Sequence, residues 1–143
     1  MRVFALIALA TATPAFGWEF SPTPVCTLSD RTAEASISVT YDPRQSEPYA
    51  ISVSRQMPWP DGAIFAFVFE GSRSLTITTN RHSLSENGRT LTVTDHGFGN
   101  VLDGLEFNRT ATALLQDIAV AFPLDGAAPE VQAFRACADA PSV

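Results

Sequence analysis

The dominant pattern along the chain is an alternation of apolar and polar residues, which predicts antiparallel β-strands with one buried and one solvated face. The alternation covers residues 37–41 and residues 49–53, where the polar positions are mostly Ser, Thr or Ala. The segment between them carries the turn-forming residues Asp42, Pro43 and Pro48. We therefore expect these two strands to pair as a hairpin.

A continuous apolar run, which contains three phenylalanines, occupies residues 63–69. It is too short for a typical helix and predicts a strand at the centre of a sheet, buried on both faces. Two prolines and an Asp-Gly pair make residues 57–62 a loop. Two further strands are predicted over residues 75–78 and 91–94, where aliphatic residues alternate with threonines.

The pattern changes to a short helix near residues 100–107. Asn100 with Asp103 three positions later is typical of a helix start, although Gly104 weakens this helix by about 1 kcal/mol relative to Ala. Residues 110–115 and 118–124 predict a last hairpin.

A C-terminal helix is predicted near residues 127–138. Pro129 suits its first position and Glu130 suits the positive end of the helix dipole, while Val131, Phe134 and Ala138 share one face. The fold class that follows is α+β: a mostly antiparallel β-sheet or sandwich with these two helices, in a single domain of residues 18–143.

The first residues predict a signal peptide over residues 1–17. Arg2 is followed by an apolar run, and Ala15 and Gly17 occupy the small-residue positions of a cleavage site. Cleavage after Gly17 would make Trp18 the first residue of the mature chain. The apolar run is shorter than the roughly 20 residues of a membrane-spanning helix, so we expect a periplasmic or secreted protein without membrane insertion. The alternative is a cytosolic chain with an apolar start.

Export changes the interpretation of the two cysteines, Cys26 and Cys137. In an oxidising compartment an even number of cysteines predicts a disulfide. The alternative, a reactive thiol pair, lacks the Cys-x-x-Cys spacing. A single bridge between these positions would enclose nearly the whole mature chain.

Charge excludes several functions. The net charge is −6, and all nine basic residues are arginines. Removal of Arg2 with the signal peptide leaves eight arginines against fifteen acids, or −7. This acidic balance argues against a nucleic-acid partner and against an anionic membrane surface. Without lysine the chain has no phosphate-binding loop, and it lacks the Gly-x-Ser-x-Gly motif of serine hydrolases. We therefore predict no cofactor.

One group of residues is a candidate site, which we call the predicted rim: Arg81, His82, Asp95 and His96. If residues 83–94 fold back as a hairpin, these side chains meet at one end of the sheet and could bind an anion or a metal. The alternative is two exposed turn histidines, which we favour because no spacing supplies a third ligand. We therefore assign no catalytic residue and no metal.

Trp59 is a second candidate, because it lies between two prolines in a loop. A loop tryptophan can anchor a binding partner. The alternative is a tryptophan that covers the edge of the core.

Three segments carry a resemblance to a known family: WEFSPTPVC at 18–26, LTVTDHGFGNVLDGL at 91–105, and FPLDGA at 122–127 followed by FRAC at 134–137. In these the mature chain resembles a family of small exported alphaproteobacterial proteins of unknown function, some of which are labelled as a component of the excinuclease ABC complex. That label implies a long, P-loop-dependent cytosolic protein, which this sequence does not support. The last third is also distantly similar to invasion-associated locus B proteins, which implies an exported, disulfide-bearing, β-rich domain. Neither resemblance assigns a catalytic residue.

The sequence favours a periplasmic binding or interaction protein without recognisable catalytic machinery, whose partner is a periplasmic protein or a small ligand. The alternative is a small hydrolase or metal-binding protein that uses the predicted rim. The oligomeric state is left open.

Overall fold

The computed structural model describes residues 17–140, so the predicted signal peptide lies outside the described residues except for Gly17. The described chain forms ten strands and two helices in this order: β1 (Glu19–Ser21), β2 (Cys26–Arg31), β3 (Ala35–Tyr41), β4 (Tyr49–Arg55), β5 (Phe65–Gly71), β6 (Leu75–Thr79), β7 (Ser83–Ser85), β8 (Thr90–Asp95), α1 (Gly99–Phe107), β9 (Asn108–Leu115), β10 (Ile118–Pro123) and α2 (Ala127–Ala138). The prediction of an α+β fold with mostly antiparallel sheet, a short helix and a C-terminal helix is confirmed.

The strands form two antiparallel sheets. One has six strands in the order β1-β2-β3-β4-β8-β7, and the other has four in the order β10-β9-β5-β6. The alternating segments form the predicted hairpin, in which Ile37 pairs with Val53 and Val39 with Ile51. These four side chains are buried on the inner face, while serines such as Ser38 and Ser52 lie on the outer face.

The prediction that residues 63–69 are buried on both faces is wrong. Phe65, Phe67 and Phe69 are buried between the sheets, but Ala66 and Val68 on the opposite face are only half-buried. The strand β5 does lie inside its sheet, between β9 and β6. Nothing in the described chain packs deeply over its outer face, so small side chains there suffice.

Strands β1 and β2 were not predicted. Residues 18–24 are expected to be extended, and part of this segment, β1, pairs with β2 as an edge strand, with Glu19 opposite Ser29. In β2 the alternation is hidden because one of its inward positions is the acidic residue Asp30, which is buried together with Cys26 and Leu28.

Helix α1 forms as predicted, but its start differs. The residue before it is Phe98, and no side chain caps it, so Asn100 is not the N-cap. Gly104, the expected weak point, is required by packing: a Cβ there would lie 2.5 Å from Cδ2 of Phe69. The lost helix propensity is therefore accompanied by close contact between α1 and β5.

Helix α2 confirms the predicted C-terminal helix, with Val131, Phe134 and Ala138 buried on one face. It begins at Ala127, two residues before Pro129. The predicted disulfide joins Cys26 of β2 to Cys137, with 6.0 Å between their Cα atoms.

Polar contacts join the two helices to each other and to the chain start. The guanidinium of Arg135 on α2 contacts two carboxylates of α1, with Nη2 2.7 Å from Asp103 Oδ1 and Nε 3.0 Å from Glu106 Oε1. The indole N–H of Trp18 donates to the carbonyl oxygen of Pro123 at 2.9 Å, and the backbone N–H of Phe20 donates to Glu130 at 3.1 Å. We call this side of the sandwich, with α1, α2, β1 and the disulfide, the closed side.

Candidate functional site

A cleft of about 730 Å³ lies between β6 of one sheet and β8 of the other. Both strands are incompletely paired there. Strand β7 pairs with only Thr90, Leu91 and Thr92 of β8, and β6 pairs with β5 alone. In the described part of the chain, no further backbone hydrogen bond involves β6. We call this feature the open cleft.

The walls of the open cleft are mainly apolar. The six-stranded sheet contributes Ile51 and Val93, and the four-stranded sheet contributes Phe65, Phe67 and Ile77. Ile64 also lines the cleft, with 56% of its surface exposed. Such large exposed aliphatic side chains are more informative when they border a concave apolar surface than when they are isolated.

One edge of the open cleft is charged. Arg81 lies 3.1 Å from Glu47 through Nη1 and 3.2 Å from Asp95 through Nη2. The hydroxyl of Thr94 donates to the other oxygen of Glu47 at 3.1 Å. This group holds one positive and two negative charges, so its formal charge is −1.

The predicted rim is only partly assembled. Arg81 and Asp95 meet, but Nε2 of His82 is 2.9 Å from the carbonyl oxygen of Gly62. His96 is exposed, and its backbone N–H donates to Asp95 Oδ1 at 2.7 Å. Among residues 17–140, no group of three or more His, Cys, Asp or Glu side chains is arranged to hold a metal ion.

His82 has a structural environment. Its ring packs near that of Phe65, with 6.2 Å between centroids. Since Nε2 contacts a carbonyl oxygen, Nε2 carries the proton and Nδ1 is the acceptor. This Nδ1 is buried without a hydrogen-bond partner.

The hypothesis that Trp59 anchors a partner at the surface is wrong. Trp59 is only 4% exposed. Its indole N–H donates to the carbonyl oxygen of Val53 at 3.2 Å, and the guanidinium of Arg55 lies 5.4 Å from its ring centroid. The alternative, a tryptophan that covers the edge of the core, describes its position.

Sequence reasoning missed Glu47 and Ile64. Glu47 lies in the turn between two predicted strands, where an acidic residue has no distinguishing pattern. Ile64 was included in a strand, and β5 starts one residue later. The signal that could have found it is its place beside a Pro-rich loop, where an aliphatic residue can remain exposed.

Comparisons with family models, curated proteins and solved structures gave no match for this chain. The resemblances drawn from the sequence therefore remain predictions. In the described residues, neither helix has the length and apolar character needed to cross a membrane.

Proposed function

We propose that this protein is a non-catalytic binding protein that works outside the cytoplasm, and that the open cleft receives an extended segment of a partner protein. The observation that carries this proposal is the coincidence of an apolar cleft with an unpaired strand edge at β6. The disulfide is compatible with the location and supports it.

An unpaired edge favours a peptide over a compact ligand. Each residue of an edge strand presents unpaired backbone groups, and an extended peptide satisfies them by adding a strand to the sheet. Alternate side chains of the added strand would point to one face. The inner-facing ones would then enter the open cleft beside Ile77 and Val93.

Charge restricts the partner further. The cluster of Arg81, Glu47 and Asp95 is acidic by one charge, and the chain as a whole carries −6. We therefore expect a neutral or basic segment, with a preference for Arg or Lys at the end that lies near this cluster.

The test is binding to arrayed synthetic nine-residue peptides in which apolar and polar residues alternate, with peptides of the same composition but scrambled order as the reference. We expect the alternating peptides to bind and the scrambled ones to bind at least about tenfold more weakly, because only alternation places all apolar side chains on one face. Basic ends should strengthen binding.

A matched pair of variants locates the site on β6. Ile77→Arg places a charge in the open cleft and should reduce peptide affinity at least about tenfold, the equivalent of roughly 1.4 kcal/mol. Thr76→Arg, on the adjacent and outward-facing position, should leave affinity within about twofold, the scale expected of an exposed contact. If Ile77→Arg does not fold, Ile64→Ser tests the same wall at a more exposed position.

Two results would count against the proposal. An apolar dye that binds the cleft while no peptide does would indicate a small apolar ligand, and the peptide assignment would be wrong. Equal losses with Ile77→Arg and Thr76→Arg would place binding elsewhere. For the predicted rim, the contacts of His82 and His96 favour no hydrolase or metal function, so no second function is proposed.

A further inference from the structure

Asp30 is a buried carboxylic acid in an inward-facing position of β2. It is 7% exposed, and its Oδ1 is buried without a hydrogen-bond partner. Burial raises the pKa of Asp30 above its ordinary value of 3.8, and the nearby carboxylate of Glu19 acts in the same direction, while the backbone N–H groups of Arg31 and Gly17 act against it. A buried acid with an unsatisfied oxygen destabilises a fold unless something completes its environment.

The strand register identifies the nearest chain position. In the antiparallel pair β1–β2, Glu19 lies opposite Ser29 and Phe20 opposite Leu28. Continued by one residue, the same register places Trp18 opposite Asp30. Residues that face each other in such a pair have their Cα atoms about 4.5 to 5.5 Å apart. The amide of Gly17, one residue earlier, already lies close enough to lower the pKa of Asp30.

The predicted signal-peptide cleavage falls at this same point. Hydrolysis of the Gly17–Trp18 bond consumes one water molecule. The new carboxylate leaves on Gly17, and the new amine on Trp18 takes up a proton. The single N–H of an amide is thereby replaced by an ammonium group with three donors and a positive charge.

We propose that the α-ammonium group released at Trp18 pairs with Asp30, so that removal of the signal peptide completes the fold. The precursor would contain an unpaired buried carboxylate, and the mature protein would contain a buried ion pair at the edge of β1. An opposite charge within about 4 to 6 Å favours the ionised carboxylate. The indole of Trp18 is 7% exposed and hydrogen-bonded to Pro123, which holds the residue in place.

The test compares two forms of the chain that begins at Trp18, one with a free amine and one with an acetylated amine. Because the sequence contains no lysine, an amine-reactive acetylating reagent modifies the chain start alone. We expect the free-amine form to unfold at a temperature higher by about 4 °C or more. The pKa of Asp30, followed by carboxyl carbon NMR, should be lower in the free-amine form by at least about 1.

Asp30→Asn is the matched control, since it keeps the shape and removes the charge. In this variant the acetylated and free-amine forms should have the same unfolding temperature. If the variant does not fold, the pKa of Asp30 in the two unaltered forms decides the question alone.

Three results would overturn the proposal. The pKa of Asp30 could be the same in both forms; the effect of the free amine could persist in Asp30→Asn; or mass spectrometry of the exported protein could show a first residue other than Trp18. None of these measurements involves the open cleft, so their failure is independent of the proposed binding function.

Discussion

The two sides of the sandwich differ in how their strand edges end. On the closed side, β1 is covered by α2, the disulfide ties β2 to that helix, and Arg135 joins α2 to α1. On the opposite side, β6 has one neighbour and β8 is covered by β7 over only three residues. Phe134 on the closed side has no exposed surface, whereas Ile64 at the open cleft is 56% exposed.

This difference separates stability from binding within one small domain. Covered edges and covalent links resist unfolding and block pairing with other chains, whereas an uncovered edge is a site for strand addition. Substitutions on the closed side should therefore change the free energy of unfolding, and substitutions at the open cleft should change affinity.

The largest expected effect is the loss of the disulfide. The bridge joins residues 111 positions apart, so replacing Cys26 and Cys137 together with Ala should lower the free energy of unfolding by about 4 to 5 kcal/mol. Denaturant unfolding of both forms measures this. A loss below about 1 kcal/mol would show that the closed side does not depend on the bridge.

The next effect in size is expected at the contact between α1 and β5. Gly104→Ala would normally favour a helix by about 1 kcal/mol, but here the added Cβ meets the Phe69 ring. We expect a net loss of about 1 to 2 kcal/mol from overpacking. Gly99→Ala is the control, because a Cβ at Gly99 meets nothing within 4 Å. A gain at both positions would contradict the close packing.

A smaller effect is expected from the ion pairs between the helices. Arg135→Met retains the apolar stem but leaves Asp103 and Glu106 without their cation, and should cost roughly 1 to 2 kcal/mol, because Glu106 is nearly buried. The exposed pair of Arg44 and Asp42 is the control, and Arg44→Met should leave the unfolding midpoint unchanged. Equal effects of the two substitutions would remove the distinction between these contacts.

The smallest effect on stability is expected at the open cleft. Ile64→Ser should change the free energy of unfolding by less than about 0.5 kcal/mol, because the side chain is largely exposed. Its affinity for alternating peptides should nevertheless fall several-fold. A variant that loses stability but keeps affinity would reverse the assignment of the two sides.

Local patterns predicted much of the fold. The hairpin of β3 and β4 follows from alternation and turn residues, and the disulfide follows from two cysteines in a chain with a predicted export signal. Strand β2 was missed because Asp30 interrupts its apolar face, and the run in β5 was misjudged because Ala and Val tolerate either environment. These errors arise where tertiary packing, rather than local sequence, decides burial.

The site was less predictable than the fold. Sequence placed Arg81 and Asp95 near each other, and the structure pairs them. The open cleft itself depends on how far β7 extends along β8 and on which strand ends each sheet. These are properties of long-range pairing that a local pattern does not encode, so the cleft appears only in the assembled sandwich.

The most direct test of the proposed binding site is hydrogen exchange at the two edges of the four-stranded sheet, with and without a saturating alternating peptide. We expect the backbone amides of Leu75–Thr79 in β6 to exchange at least about tenfold more slowly with peptide bound, since strand addition gives them partners. Those of β10, at the opposite edge, should be unchanged. Peptide binding without slower exchange in β6, or with slower exchange in β10 instead, would contradict strand addition at the open cleft.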